Sequence, residues 1–149
     1  ELIDLIGERE NICRHIHLPL QSGSTEVLRR MNRHYTKESY LALVRRIREK
    51  LPDVSLTTDI IVGFPGESER DFQDTMDVVR RVGFDSAFTF VYSKRSGTPA
   101  AKWEGVSEEL VKDRFHRLLD AVRESSSENE GRDIGKVMEV LVEEMAYSN

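Results

Sequence analysis

The segment TTDIIVGFPGES, residues 57–68, constrains the fold of this chain more than any other. Val54, Leu56, Ile60, Ile61 and Val62 make a largely β-branched, nearly continuous apolar run. That is the pattern of a buried strand in a parallel sheet with both faces covered. Gly63-Phe64-Pro65-Gly66 ends the strand, and Ser68 with Asp71 forms a capping box for a following helix. Backbone amides at such a strand–loop–helix junction favour an anionic or polar ligand. Any βα turn of an α/β protein shares this pattern.

The rest of the chain repeats the theme. Residues 2–8 read as the tail of a helix. A strand within 12–20 puts Ile16 and Leu18 on one face and His15 and His17 on the other. Ser24 caps a short helix carrying Val27, Leu28 and Met31, and Thr36 caps a longer one carrying Tyr40, Val44, Ile47 and Leu51. After Ser68, Phe72, Met76, Val79 and Val82 recur at helical spacing up to Gly83. The run from Phe84 to Tyr92 alternates Phe84, Ser86, Phe88, Phe90 and Tyr92 along one face of a strand. A Gly/Pro loop, 94–101, precedes a last helix from Ser107 with Val111, Phe115, Leu118, Leu119 and Val122 as its stripe. The polar run 125–132 reads as a linker.

Strand and helix alternate three times, which implies an α/β fold with a parallel sheet. Three strands are few for a closed barrel, so the expectation is a partial (β/α) TIM-like barrel with helices flanking parallel strands. Ligands bind at the carboxyl ends of strands in such folds. The polar loops 21–24, 59–67 and 93–98 are expected to meet there.

The net charge of −5 argues against a broad basic nucleic-acid-binding surface, while a local basic patch remains compatible. One cysteine, Cys13, excludes an internal disulfide and fits a reducing compartment. No apolar run reaches membrane-spanning length and no signal-peptide pattern is present, so a soluble, cytoplasmic chain with no membrane partner is expected. The chain opens in a helical pattern and closes on a strand-like run, 135–149, which reads as a piece of something larger.

Three stretches carry a family resemblance: HIHLPLQSGSTEVLRRMNRHYT (15–36), TTDIIVGFPGESERDF (57–72) and FTFVYSKRSGTPAAKW (88–103). In this order and spacing they resemble the radical SAM methylthiotransferases, and within them the branch acting on isopentenyladenosine in tRNA. The resemblance implies that residues 1–128 are the C-terminal half of a radical SAM barrel. Residues 129–149 would be a linker and the first strand, near 135–144, of a truncated TRAM domain that binds RNA. It implies a reaction that inserts sulfur at carbon 2 of isopentenyladenosine beside the anticodon and methylates that sulfur. The cofactors implied are S-adenosylmethionine, cleaved to a 5′-deoxyadenosyl radical, and two 4Fe–4S clusters. The partner implied is the tRNA anticodon stem-loop. The chain departs from the family in lacking the CxxxCxxC motif and the second set of cluster cysteines. Three thiolates are needed to hold such a cluster. Cys13 reads as a small buried hydrophobe, and the chain by itself is expected to be inactive.

By the same resemblance, Gln21, Ser22, Ser24, Arg33, Asp59, Ile61, Gly63 and Tyr92 would contact S-adenosylmethionine, and Phe90, Ser93 and Arg95 the substrate. Each has a plainer reading. Ser22 and Ser24 suit a helix cap, Arg33 a solvated basic run, and Gly63 and Gly66 turn chemistry. Asp59 is the sharpest candidate, because a carboxylate on an apolar strand needs partners. Phe90 or Tyr92 could stack on a base, Lys94 and Arg95 could meet phosphate, and Phe88 reads as barrel core. His15 and His17 read as hydrogen-bonded interior residues without a metal role. Competing functions are the sister enzymes acting on threonylcarbamoyladenosine or on a ribosomal-protein aspartate, and a cluster-free barrel that binds RNA or protein.

Overall fold

A computed structural model describes residues 2–137. Three parallel strands, β1 (His15–His17), β2 (Ser55–Val62) and β3 (Ser86–Val91), form one sheet in the order β1-β2-β3. Five helices are seen among the described residues: α1 (Leu2–Glu8), α2 (Thr25–Arg30), α3 (Lys37–Lys50), α4 (Glu69–Val82) and α5 (Glu108–Gly131). A one-turn 3-10 helix, Pro99–Lys102, precedes α5. This parallel sheet with flanking helices is the wall of a partial β/α barrel.

The helices begin where the hydroxyl caps foretell. Ser24, Thr36, Ser68 and Ser107 each accept a backbone N–H of the first turn of α2, α3, α4 and α5. The caps of α3 and α4 are reciprocal boxes, with Ser39 and Asp71 reaching back. Gly83 ends α4 at φ 61°, a left-handed conformation that a Cβ would strain.

β2 carries the core on one side only. Leu56, Ile60 and Val62 are buried among Leu20, Val44, Ile47, Val78, Val79 and Leu118. Thr58 shares that face because its hydroxyl donates to Leu18 O at 2.8 Å and accepts from Leu20 N at 2.9 Å. Ser55, Thr57, Asp59 and Ile61 alternate onto the opposite face and are half-buried. The expectation of a strand covered on both faces is therefore corrected, because the residues on the second face are mostly polar.

β3 departs from expectation in the same way. Phe88 and Phe90 are 59% and 51% exposed on the open face, so Phe88 is not core. Phe84, expected beside them, is fully buried because it precedes the strand, and its direction follows from the turn at Gly83. Cys13 is exposed rather than buried.

α5 packs on β3, α4 and β2 and runs to Gly131. The run expected as a linker is thus helical through Gly131, and a boundary after residue 128 falls in the last turn of α5. The expected strand over 135–144 lies mostly outside the described residues.

Two predictions follow from the α2–α4–α5 packing. Ser24 both caps α2 and donates to Asp71 Oδ1 at 2.5 Å. Ser24→Ala should lower stability by about 1–2 kcal/mol, read as a shift of the urea midpoint. Glu69 accepts from Arg117 at 2.7 Å and from Gln73 at 2.8 Å, and these bonds, led by Arg117, hold its carboxyl down to about 2. A carboxyl depressed on folding stabilises the native state above its ordinary pKa near 4.5 and loses that contribution as pH falls toward about 2. Glu69→Gln should therefore be less stable than the parent chain at pH 6 and converge with it at the acid end. A constant difference across that range would contradict the linkage.

Candidate functional site

The open face of the sheet carries a continuous polar network. Thr57 Oγ1 lies 3.0 Å from both His15 Nε2 and His17 Nδ1. His17 Nε2 faces Asp59 Oδ2 at 3.4 Å. One hydroxyl has one proton, so Thr57 donates to at most one of the two imidazoles. The Phe88 ring meets His17 edge to face at 6.2 Å. Asp59 and Phe88 are register partners on β2 and β3, as are Ile61 and Phe90. A hydrogen-bonding carboxylate thus sits beside an aromatic and aliphatic strip. Because a single curved wall supplies it, this face is not an enclosed hollow. The cleft lined by Leu41, Val44, Arg45, Arg48, Glu49, Arg81 and Val82 lies between α3 and α4, away from this chemistry.

The loops at the carboxyl ends of β1 and β2 are tied to each other. Gln21 has φ 62°, a rare conformation for a residue with a side chain. Its N–H donates to Asp59 O at 2.8 Å, and its carbonyl accepts from Ile61 N at 2.9 Å. These two bonds hold the strained residue against β2. Gly63 and Gly66 both have φ 74°. A Cβ on Gly63 would stand 2.7 Å from Val111 Cγ2, and one on Gly66 2.3 Å from Arg30 Nη1. Conformation requires glycine at both positions, and at Gly63 the approach of Val111 requires it as well.

A buried ion pair supports that loop. Arg114 Nη1 donates to Glu67 Oε1 at 2.8 Å and to Glu67 O at 3.1 Å, with side chains 3% and 1% exposed. Glu67 Oε1 also accepts from Gly63 N at 3.2 Å. Burial pushes the Glu67 carboxyl above its ordinary value, against the Gly63 N–H and the Arg114 charge. On the other side, Arg30 Nη1 donates to Pro65 O at 3.1 Å. Sequence periodicity missed Arg114, since an arginine on the helix that carries Val111 and Leu118 reads as solvated. The only available signal was its fall one turn after Val111.

The sequence-derived candidates divide into three groups. Asp59, Gln21, Ile61 and Gly63 converge on the carboxyl end of β2, with Phe90 beside them. Ser22 and Ser24 are buried and turned toward α4, Ser22 Oγ lying 3.4 Å from Thr75 Oγ1 and Ser24 Oγ bonding Asp71. The geometry engages both hydroxyls in packing. Tyr92 is tied to β2 through its N–H to Val62 O, and its ring packs edge-on against Phe64 at 5.1 Å. Arg33, Ser93 and Arg95 are exposed in loops, and no contact draws them to Asp59.

Asp59 offers carboxylate acceptors with His17 on the β1 side and Phe88 on the β3 side. Among the described residues, no group of three or more His, Cys, Asp or Glu could hold a metal ion. With one cysteine in the chain, its residues do not fit an iron–sulfur cluster. None of the described helices is long and apolar enough to cross a membrane.

A tRNA-2-methylthio-N(6)-dimethylallyladenosine synthase of Lachnoclostridium phytofermentans is 62% identical over 146 residues, 97% of this chain and 32% of that protein. Proteins of the same name from Caldicellulosiruptor saccharolyticus and Acetivibrio thermocellus are 54% and 55% identical over 150 residues, all of this chain and 32% and 31% of theirs. The chain spans about a third of the length of the curated relatives it matches. The model of the Radical SAM superfamily, whose members use S-adenosylmethionine with an iron–sulfur cluster, matches residues 1–79. The chain belongs to the Radical SAM superfamily.

Proposed function

We propose that this chain is the second half of the barrel of a tRNA methylthiotransferase, which adds a methylthio group to carbon 2 of isopentenyladenosine next to the anticodon. The observation that carries the reading is the 62% identity along 97% of the chain to a protein named for that synthesis. The relatives' names favour this substrate over threonylcarbamoyladenosine, a ribosomal-protein aspartate or a cluster-free binding role. Two 4Fe–4S clusters would be held by cysteines outside this chain. A second domain would begin after α5, within 129–149.

In this reading the adenosyl group of S-adenosylmethionine lies along the backbone at Ile61–Gly63. Asp59, held by His17, accepts hydrogen bonds from the ribose, and Gln21 borders the same edge. Phe90 offers a face for stacking next to Ile61. When bound, one S-adenosylmethionine would supply the methyl group, and another, cleaved by one electron from a cluster held outside this chain, would supply the radical that activates the C–H bond. The protein's part is to bind, orient and exclude water. Tyr92 would border the adenine, and Arg33 would meet the cofactor carboxylate as the wall completes around it. Ser93 and Arg95, exposed after β3, suit contacts to the phosphates of the anticodon stem-loop.

Deleting the parent gene should abolish 2-methylthio-isopentenyladenosine in cellular tRNA, with isopentenyladenosine accumulating, as measured by liquid chromatography and mass spectrometry. An unchanged nucleoside profile would sink the substrate assignment. Returning the full-length gene with Asp59→Asn should restore less than about a tenth of the modification, since misplacing a bound reactant is costly. The melting temperature should stay near wild type, because Asp59 is partly exposed. Full complementation would remove Asp59 from the site.

A further inference from the structure

Arg114 has no place in the ligand contacts above, yet it is the most deeply buried cation among the described residues that pair with a carboxylate. It reaches from α5 to the loop after β2, not to the open face. Its guanidinium also bonds Glu69 Oε2 at 3.3 Å and lies 5.7 Å from the centre of the Phe72 ring. From Arg114 the contacts run without a gap: to Glu67, from Glu67 Oε1 to Gly63 N, and along the chain to Val62 and Ile61. Val111, one turn before Arg114, fills the space where a Cβ of Gly63 would stand. Arg30 grips the same loop through Pro65 O from the side of α2. Two guanidinium groups therefore hold two loop carbonyls, and only the one from α5 also engages the carboxylate bonded to Gly63.

A buried ion pair is weak evidence for net stability, because desolvation offsets most of the attraction. Its geometric effect is another matter. A planar guanidinium bonded to both a carboxylate and a carbonyl of one residue allows little freedom of position. Gly63 would otherwise be the most permissive hinge in the segment.

We propose that Arg114, acting through Glu67, is a positioning residue that sets the backbone edge Ile61–Gly63 for the nucleoside. The inference rests on the reading that an adenosyl group lies along that edge.

The test uses the full-length, cluster-loaded protein, with S-adenosylhomocysteine as the probe in equilibrium dialysis and thermal unfolding in parallel. Wild-type binding tests the functional reading, and differences among variants test this proposal. Arg114→Lys and Glu67→Ala should weaken binding by about tenfold or more, the scale expected when a contact surface is displaced. Glu67→Gln keeps an oxygen for Gly63 N–H and should stay within about threefold of wild type, in line with a retained neutral hydrogen bond. Leu118→Ala, one turn further along α5 and fully buried, should lower the melting temperature while leaving affinity unchanged. If affinity follows melting temperature across all four variants, or survives Arg114→Lys, the role is structural and the proposal is overturned. If the wild-type protein does not bind the probe, the functional reading fails and takes the proposal with it.

Discussion

The alternation of β2 governs the rest of the molecule. Leu56, Ile60 and Val62 lock the strand against the helices, and a shift by one residue would bring Thr57, Asp59 and Ile61 under them instead. That register is strongly held, since burying Asp59 without partners is far more costly than burying Ile60. The helices on one face therefore determine, on the other, which side chains line the open wall. His15 and His17 share hydrogen bonds to Thr57, with Asp59 3.4 Å from His17, because β1 pairs with β2 in a parallel ladder whose register is likewise fixed.

The loop after β2 shows a second constraint, the approach of helices to backbone. Gly63 and Gly66 are glycines for ligand-independent reasons, since both have φ 74° and Val111 occupies the space of a side chain on Gly63. The backbone at that point is held from within the fold, the Ile61 N–H by the Gln21 carbonyl and the Gly63 N–H by the Glu67 carboxylate.

The fold was largely legible because its signals are local. Hydroxyl caps at Ser24, Thr36, Ser68 and Ser107 and helical stripes such as Phe72, Met76, Val79 and Val82 depend on neighbours within a few residues. Misreadings occurred where a local pattern ran past its element. The alternation of β3 does not reach back to Phe84, because a bend at Asp85 separates it from the strand. The polar run 125–132 reads as a linker, although α5 needs only one apolar stripe to dock and can continue through polar residues. In the site, Asp59 stood out by its cost of burial, whereas Arg114 did not, since its partner Glu67 is distant in sequence and adjacent only once α5 folds back.

The sequence by itself determined that this is an α/β chain with three strand–helix steps, with Asp59 and the Gly63–Gly66 loop at the end of its central strand. Periodicity and capping are short-range physics that one strand of text contains. Tertiary structure alone decided which face of β2 is open, that His17 stands between Thr57 and Asp59, that Ser22 and Ser24 turn toward α4, and that a buried arginine of α5 supports the loop. Each of these joins residues tens of positions apart, and their geometry exists only after the helices have packed on the sheet.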